Sequence, residues 1–159
     1  MILSIFILLN LMVFIFFFIF GKKELHILEV TAYFFFAGIP VQNLSALLCL
    51  DLEWITISSS QSLEWAEVIN RSVLIPILVV WFLSLFIHTF SSYKKLGYLL
   101  FFTCLLTGIE YLSESLGLLN HAHWQFWWSF ALNACLLFIA IPFMFFFRSH
   151  FYKGIKKYV

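Results

Sequence analysis

The stretch GYLLFFTCLLTGIEYLSESLG, residues 97–117, decides how this chain folds. It is apolar over most of its length and contains no basic residue, yet it carries two carboxylates, Glu110 and Glu114, four positions apart. A helix that crosses a bilayer needs about 20 mostly apolar residues, and this stretch supplies them. Thr103, Thr107, Glu110, Glu114 and Gly117 recur at spacings of four and three, which places them on one face of a helix. The other faces carry Leu, Phe and Ile, so the polar stripe points into a bundle. The sequence therefore predicts a membrane helix near 97–118 with an acidic stripe turned inward.

Outward from this helix the same pattern repeats. Apolar segments of spanning length lie near 1–20, 27–50, 72–92 and 126–147, which with 97–118 makes five. The composition agrees: 64% of the 159 residues are hydrophobic and 11% are charged, against roughly 45–50% and about 25% in a soluble domain. The length suits one domain, 1–159. The expected fold class is all-α, a polytopic membrane bundle of five helices. The segment at 1–20 has no basic stretch before it and no small-residue cleavage site after it, so it reads as a retained helix. The segment at 27–50 holds GIPVQN, residues 38–43. Its Pro40 removes a backbone donor, which membrane helices tolerate where neighbours satisfy the freed carbonyl. Phe16, Phe17 and Phe145 are expected to face lipid. Gly117, Ser129 and Asn133 are expected at helix contacts, which small and polar residues favour.

Orientation follows from the connecting loops. Lys22, Lys23, Lys94, Lys95, Arg148, Lys153, Lys156 and Lys157 fall on one side of a five-helix thread; of the nine Lys and Arg, only Arg71 falls on the other. Asp51, Glu53, Glu64 and Glu67 share the side of Arg71. Basic loops stay in the cytoplasm, so the N-terminus is expected outside and the C-terminus inside. Within the 51–71 connection, SLEWAEVI (62–69) reads either as a short helix lying along the outer surface or as an irregular loop.

Glu110 lies roughly 20 Å along its helix at 1.5 Å per residue, about two thirds of the way across a ~30 Å hydrocarbon core. An ionised carboxylate there costs several kcal/mol unless paired or hydrated. No Lys or Arg falls inside any of the five segments, so the expected partners are neutral donors, histidines and water. Tyr33, Gln42, Asn43, Trp81, Ser84, Ser129 and Asn133 are the candidates. One reading makes Glu110, with Asn133 and Asn43, a protonatable site or ligand contact. The other makes it a neutral, hydrogen-bonded packing group. Glu114, one turn nearer water, is expected to be hydrated.

Beyond this helix, NHAHW (120–124) places His121 and His123 beside Trp124 at the outer face. A His-x-His pair supplies two metal ligands, but a closed zinc site needs four, and the spacing fixes no third or fourth. Hydrogen-bonding interfacial histidines are the favoured reading, with a metal held by His121 and His123 the weaker one. No cofactor is implied. Trp54, Trp65, Trp124, Trp127 and Trp128 read as an interfacial aromatic belt, and Glu29 as half of an ion pair with Lys22 or Lys23. The sequence contains neither a GxSxG nucleophile motif nor a glycine-rich phosphate loop, and a formal net charge of +1 gives no field that would gather nucleic acid.

The order of these features carries a resemblance. KKELHILEV, then LEWAEVINRSVLIPILVVWF, then the Glu110 helix, then HWQFWWSFALN and a closing arginine in FFFRSHF resemble a family of small, uncharacterised five-span membrane proteins of Gram-positive spore-forming bacteria. The matching positions are Glu29 or Glu24, Glu64-Trp65, Pro76, Glu110, Gly117, Trp124 and Trp127-Trp128-Ser129. Where that family turns on Asn-Gly-Trp, this chain has His121-Ala122-His123-Trp124. The resemblance implies the cytoplasmic membrane of a bacterium and no particular activity. The leading expectation is a non-enzymatic subunit or scaffold of a membrane assembly, bound to lipid and to a membrane partner or a second copy. A small-molecule or proton pathway through Glu110 is the alternative, and a membrane metalloenzyme the weaker one.

Overall fold

A computed structural model of the chain describes residues 2–17, 19, 25–57, 60–121 and 124–155. Apart from one pair of short strands it is all helical. Helix α1 is Ile2–Phe16 and α2 is Ile27–Ala46, which a wider π turn prolongs over Leu47–Asp51. Strand β1 is Ile55–Ile57. Helix α3, Gln61–Ile69, passes through a second π turn, Asn70–Leu74, directly into α4, Ile75–His88. Then come α5, Ser92–Ser115, strand β2, Leu119–His121, and α6, Phe126–Ile155.

Four of the continuous helices are long and apolar enough to cross a bilayer: Ile27–Asp51, Gln61–His88, Ser92–Ser115 and Phe126–Tyr152. They are the helices of a membrane-embedded protein. Helix α1 is apolar but has 15 residues, fewer than the about 20 that a crossing needs. It packs on α3, the second π turn and α4. Its Phe6 joins Ala66 and Leu118, and its Phe14 lines one cavity with Ile27 and Val30, so α1 runs the length of the bundle.

The second of these long helices, Gln61–His88, corrects the sequence reading twice. It starts at Gln61 and not at 72, so SLEWAEVI is helical, as one of its two readings had it, but instead of ending before the next segment it continues into the long apolar helix Gln61–His88. Its Ala66 and Glu67 are buried. It also brings Arg71 into a spanning helix, where no basic residue was expected. The physical reason is pairing: Arg71 Nε lies 2.6 Å from Glu67 Oε1, four positions back, so two charges that looked like loop residues neutralise each other inside the helix. The π turn then adds a residue and re-phases the face, which lets Glu67, Asn70 and Leu74 all point inward.

Local signals explain the helix ends. At the start of α2, His26 Nδ1 accepts from Leu28 N–H at 3.3 Å and Glu29 Oε2 accepts from His26 N–H at 3.0 Å, a reciprocal capping box. At the end of α5, Gly117 adopts φ +75, and the amides of Gly117 and Leu118 close on the carbonyls of Glu114 and Ser113, the glycine-dependent way to stop a helix. Gly117 is exposed there, so its role is in this turn and not at the expected helix contact. Phe16 and Phe145 are exposed as expected, but Phe17 is buried.

Helix α4 is the centre of the bundle. Leu78, Val79, Phe82 and Leu83 are fully buried, with Tyr33 and Ala37 of α2, Phe102 and Leu106 of α5, and Leu137, Ala140 and Met144 of α6 around them. A second cluster caps one end: Phe6, Leu48, Ile55, Ala66, Leu118, Leu119 and Trp124. The antiparallel strands hold this cap, with Ile55 opposite His121 and Ile57 opposite Leu119. The opposite end carries His26, Lys94, Lys95 and Arg148.

Candidate functional site

Beneath the cap, α2, α4 with the π turn before it, α5 and α6 leave a cleft that is partly open at the edge of the bundle. Most of its wall is apolar. Glu67, Asn70, Arg71, Glu110, Ser129 and Asn133 add polar groups. Trp124 and Ser129 build its upper side. The Trp124 indole N–H donates to Ser129 Oγ at 2.8 Å, and Ser129 Oγ donates to Glu110 Oε1 at 2.7 Å. This relay joins the cap to α6 and to α5. One turn further along, Asn133 Nδ2 donates to Thr107 Oγ1 at 3.3 Å, and Thr107 Oγ1 donates to the Thr103 carbonyl at 2.8 Å. The polar stripe of α5 thus meets the polar face of α6, residue against residue.

The facing wall comes from the helix Gln61–His88. Glu67 is 3% exposed and Asn70 2% exposed. Arg71 holds Glu67 through Nε and reaches Cys49 Sγ through Nη1 at 3.8 Å. Asn70 Nδ2 donates to Ser113 Oγ at 3.3 Å. Two oxygens on these cleft-lining side chains, Glu67 Oε2 and Asn70 Oδ1, are buried and have no hydrogen-bond partner among the described residues. Ser113 lies near enough to act on the Glu67 carboxylate, but no hydrogen bond of ordinary geometry reaches Oε2.

Of the residues singled out from the sequence, Glu110 and Asn133 line the cleft together. Trp124, expected at the outer face with the histidines, is 8% exposed and belongs to the Glu110 site. Asn43 does not: it is exposed and outside the cleft. Glu114 is half-buried and also outside it. His121 takes part in β2 through its backbone, and nothing is described of its side chain. His123 lies outside the described residues, as do Lys22 and Lys23, the partners expected for Glu29. The partner seen for Glu29 is Arg148: fully buried Glu29 receives Arg148 Nε at 2.5 Å. This pair ties α2 to α6 at the basic end. Among the described residues no three His, Cys, Asp or Glu side chains come together as a metal site would require.

Glu67, Asn70 and Arg71 were missed from the sequence as members of a membrane site. The available signal was the i, i+4 spacing of Glu67 and Arg71, which pairs charges on one helix face. Compared with family models, with curated proteins and with solved structures, the chain matches none of them.

Proposed function

We propose that this is a non-enzymatic, multi-pass membrane protein that takes a small amphipathic molecule into the cleft between α2, α4, α5 and α6. The observation that carries the reading is the lining of the cleft: mostly apolar, with a few polar side chains, Glu67, Asn70, Arg71, Glu110, Ser129 and Asn133, among it. That is the general character of small-molecule sites. Buried Ile55, Leu119 and Trp124 close its capped end, whereas Pro40 and Leu44, which also line it, are exposed. Entry is therefore sideways, between helices, from the lipid. The subunit reading of the sequence rested on short spans and loops, small size and the lack of a catalytic set; the cleft instead favours the small-molecule alternative that the sequence placed at Glu110.

Two further parts belong to this proposal. Helix α1 is a fifth crossing, short but running end to end, with the N-terminus outside a bacterial cytoplasmic membrane and the basic end inside. The resemblance to the five-span family is also retained, because three of its matching positions, Glu110, Trp124 and Ser129, form the relay above the cleft. The test is native mass spectrometry of the protein purified in mild detergent from its own membranes, beside Leu132→Trp, which fills the cleft. Wild type should carry a small bound mass that the filled variant lacks. The same mass on both, or none on either, refutes the reading.

A further inference from the structure

Among the polar groups of the cleft, Arg71 has donors to spare. A guanidinium carries five N–H. Nε donates to Glu67 Oε1 at 2.6 Å and Nη1 to Cys49 Sγ at 3.8 Å, which uses two of them. Nη2 enters neither bond, and it is not one of the enclosed side-chain atoms that lack a partner among the described residues. The side chain lines the cleft and stays 12% exposed, so a ligand reaches it. Its charge, by contrast, is already met by Glu67. An anionic ligand would add a net negative charge to apolar surroundings that include Leu48, Ile75 and Leu106, and burying an uncompensated charge is costly. A donor-rich ligand gains nothing from Arg71, and the two unmet oxygens, Glu67 Oε2 and Asn70 Oδ1, are closed off inside the protein. What the guanidinium lacks is an uncharged acceptor.

We infer that the cleft binds an uncharged lipophilic carbonyl compound, whose oxygen accepts from the Arg71 guanidinium while its hydrocarbon lies among the apolar side chains. The inference rests on the cleft reading and names its ligand class. A carbonyl oxygen has two lone pairs and no proton, so it meets the spare N–H groups without needing an acceptor in return. It carries no charge, so it enters hydrocarbon at far lower cost than an ion, which fits entry from the lipid side. A hydrogen bond from an ionised donor is also roughly twice as strong as one between neutral groups. The carbonyl belongs either to a free ketone or quinone or to the acyl ester of a bilayer lipid, which offers the same acceptor.

The test uses the full-length protein in nanodiscs of a diether phosphatidylcholine, which contains no carbonyl, with empty discs as the partitioning control and undecyl methyl ketone as the probe. Tridecane lacks the acceptor, the corresponding secondary alcohol adds a donor to it, and dodecanoate adds a charge. The ketone should saturate the protein discs, its carbonyl stretch should fall in frequency on binding, and the other three should bind at least tenfold more weakly. Arg71→Met should weaken the ketone at least tenfold and abolish the frequency shift. That variant strands buried Glu67, so Glu67→Leu combined with Arg71→Met keeps the test open if the single variant fails to fold: replacing both members of a buried pair is often neutral, and the double variant should bind the ketone no better than tridecane. Weaker ketone binding in diester phosphatidylcholine discs assigns the carbonyl to a lipid ester, and unchanged binding assigns it to a free ketone or quinone. Both results uphold the proposal. If tridecane, the alcohol or dodecanoate binds as tightly as the ketone, and Leu132→Trp abolishes that binding, the carbonyl is wrong and the cleft reading stands. Binding that survives Leu132→Trp lies outside the cleft and overturns both. If no probe saturates, or if the double variant still prefers the ketone, the carbonyl proposal is overturned.

Discussion

Glu110 shows how a carboxylate within a long apolar helix is held by a hydroxyl relay. Its Oε1 receives the Ser129 hydroxyl, which in turn receives the Trp124 indole. Glu110→Gln keeps an acceptor at the same place, so folding should survive, whereas Glu110→Leu strands the Ser129 donor and should lower unfolding free energy by about 1–3 kcal/mol. Denaturation in mixed micelles separates the two; equal losses would show that the relay contributes nothing specific. The Glu29–Arg148 pair is the harsher case. Glu29 is 0% exposed, and its partner comes from 119 residues away. Removing one member of a buried pair costs about 3–5 kcal/mol, while replacing both with apolar residues of similar volume is often neutral. Arg148→Met should thus destabilise strongly in the same assay, and adding Glu29→Leu should restore most of the loss. A double variant no better than the single would mean that the pair does more than neutralise itself.

At the scale of elements, what was legible in the sequence is what local pattern encodes. The stripe on α5 follows from spacing alone, and its burial at Thr103 and Thr107 agrees with that spacing. The start of the helix Gln61–His88 was hidden because hydropathy weighs Glu67 and Arg71 singly, whereas the helix presents them as one neutral pair. The β1–β2 pair was hidden for another reason: three-residue strands have too little pattern to detect, and their register joins Thr56 to Asn120, 64 positions apart in sequence. Trp124 looked interfacial because a tryptophan in a loop usually is; only the strands turn it beneath the cap. Half of the site was therefore readable, the Glu110–Asn133 half, and the Glu67–Arg71 half was not. Two glycines test the elements directly. At Gly117 the backbone is left-handed at φ +75 with open space around it, so Gly117→Ala should cost about 1–2 kcal/mol from backbone alone. At Gly38 an added Cβ would sit 3.5 Å from Pro76 Cγ. Ala is therefore tolerated there, and a larger Gly38→Leu should force α2 off α4 at about 1–3 kcal/mol. Equal effects of Ala and Leu at Gly38 would contradict this close approach.

The whole molecule is polarised along its length. With Arg71 drawn into a helix and paired, the described loops at the capped end, 52–57 and 116–121, hold no Lys or Arg, while Lys94, Lys95 and Arg148 gather at the other end. The positive-inside rule weighs loop cations, so the burial of Arg71 sharpens the asymmetry and favours the capped end outside. Helix α1 extends the argument. It starts beside Ala66 at the capped end and ends beside Ile27 at the basic end, so if it crosses the bilayer its first residues lie outside. Three single cysteines decide the matter once Cys49, Cys104 and Cys135 are replaced by Ala. Ser60→Cys, just before α3, should react with a membrane-impermeant maleimide on intact cells. Phe90→Cys, between α4 and α5 and 99% exposed, should react only after permeabilisation. The reverse pattern would invert the protein, and labelling of both on intact cells would mean that Gln61–His88 does not cross. Ser4→Cys reports on α1 alone. Labelling from outside shows a fifth crossing despite a helix of 15 residues, with the bilayer thinned or the flanking residues drawn in to meet it. Protection until permeabilisation would leave four crossings and set α1 against the bundle from the inner side.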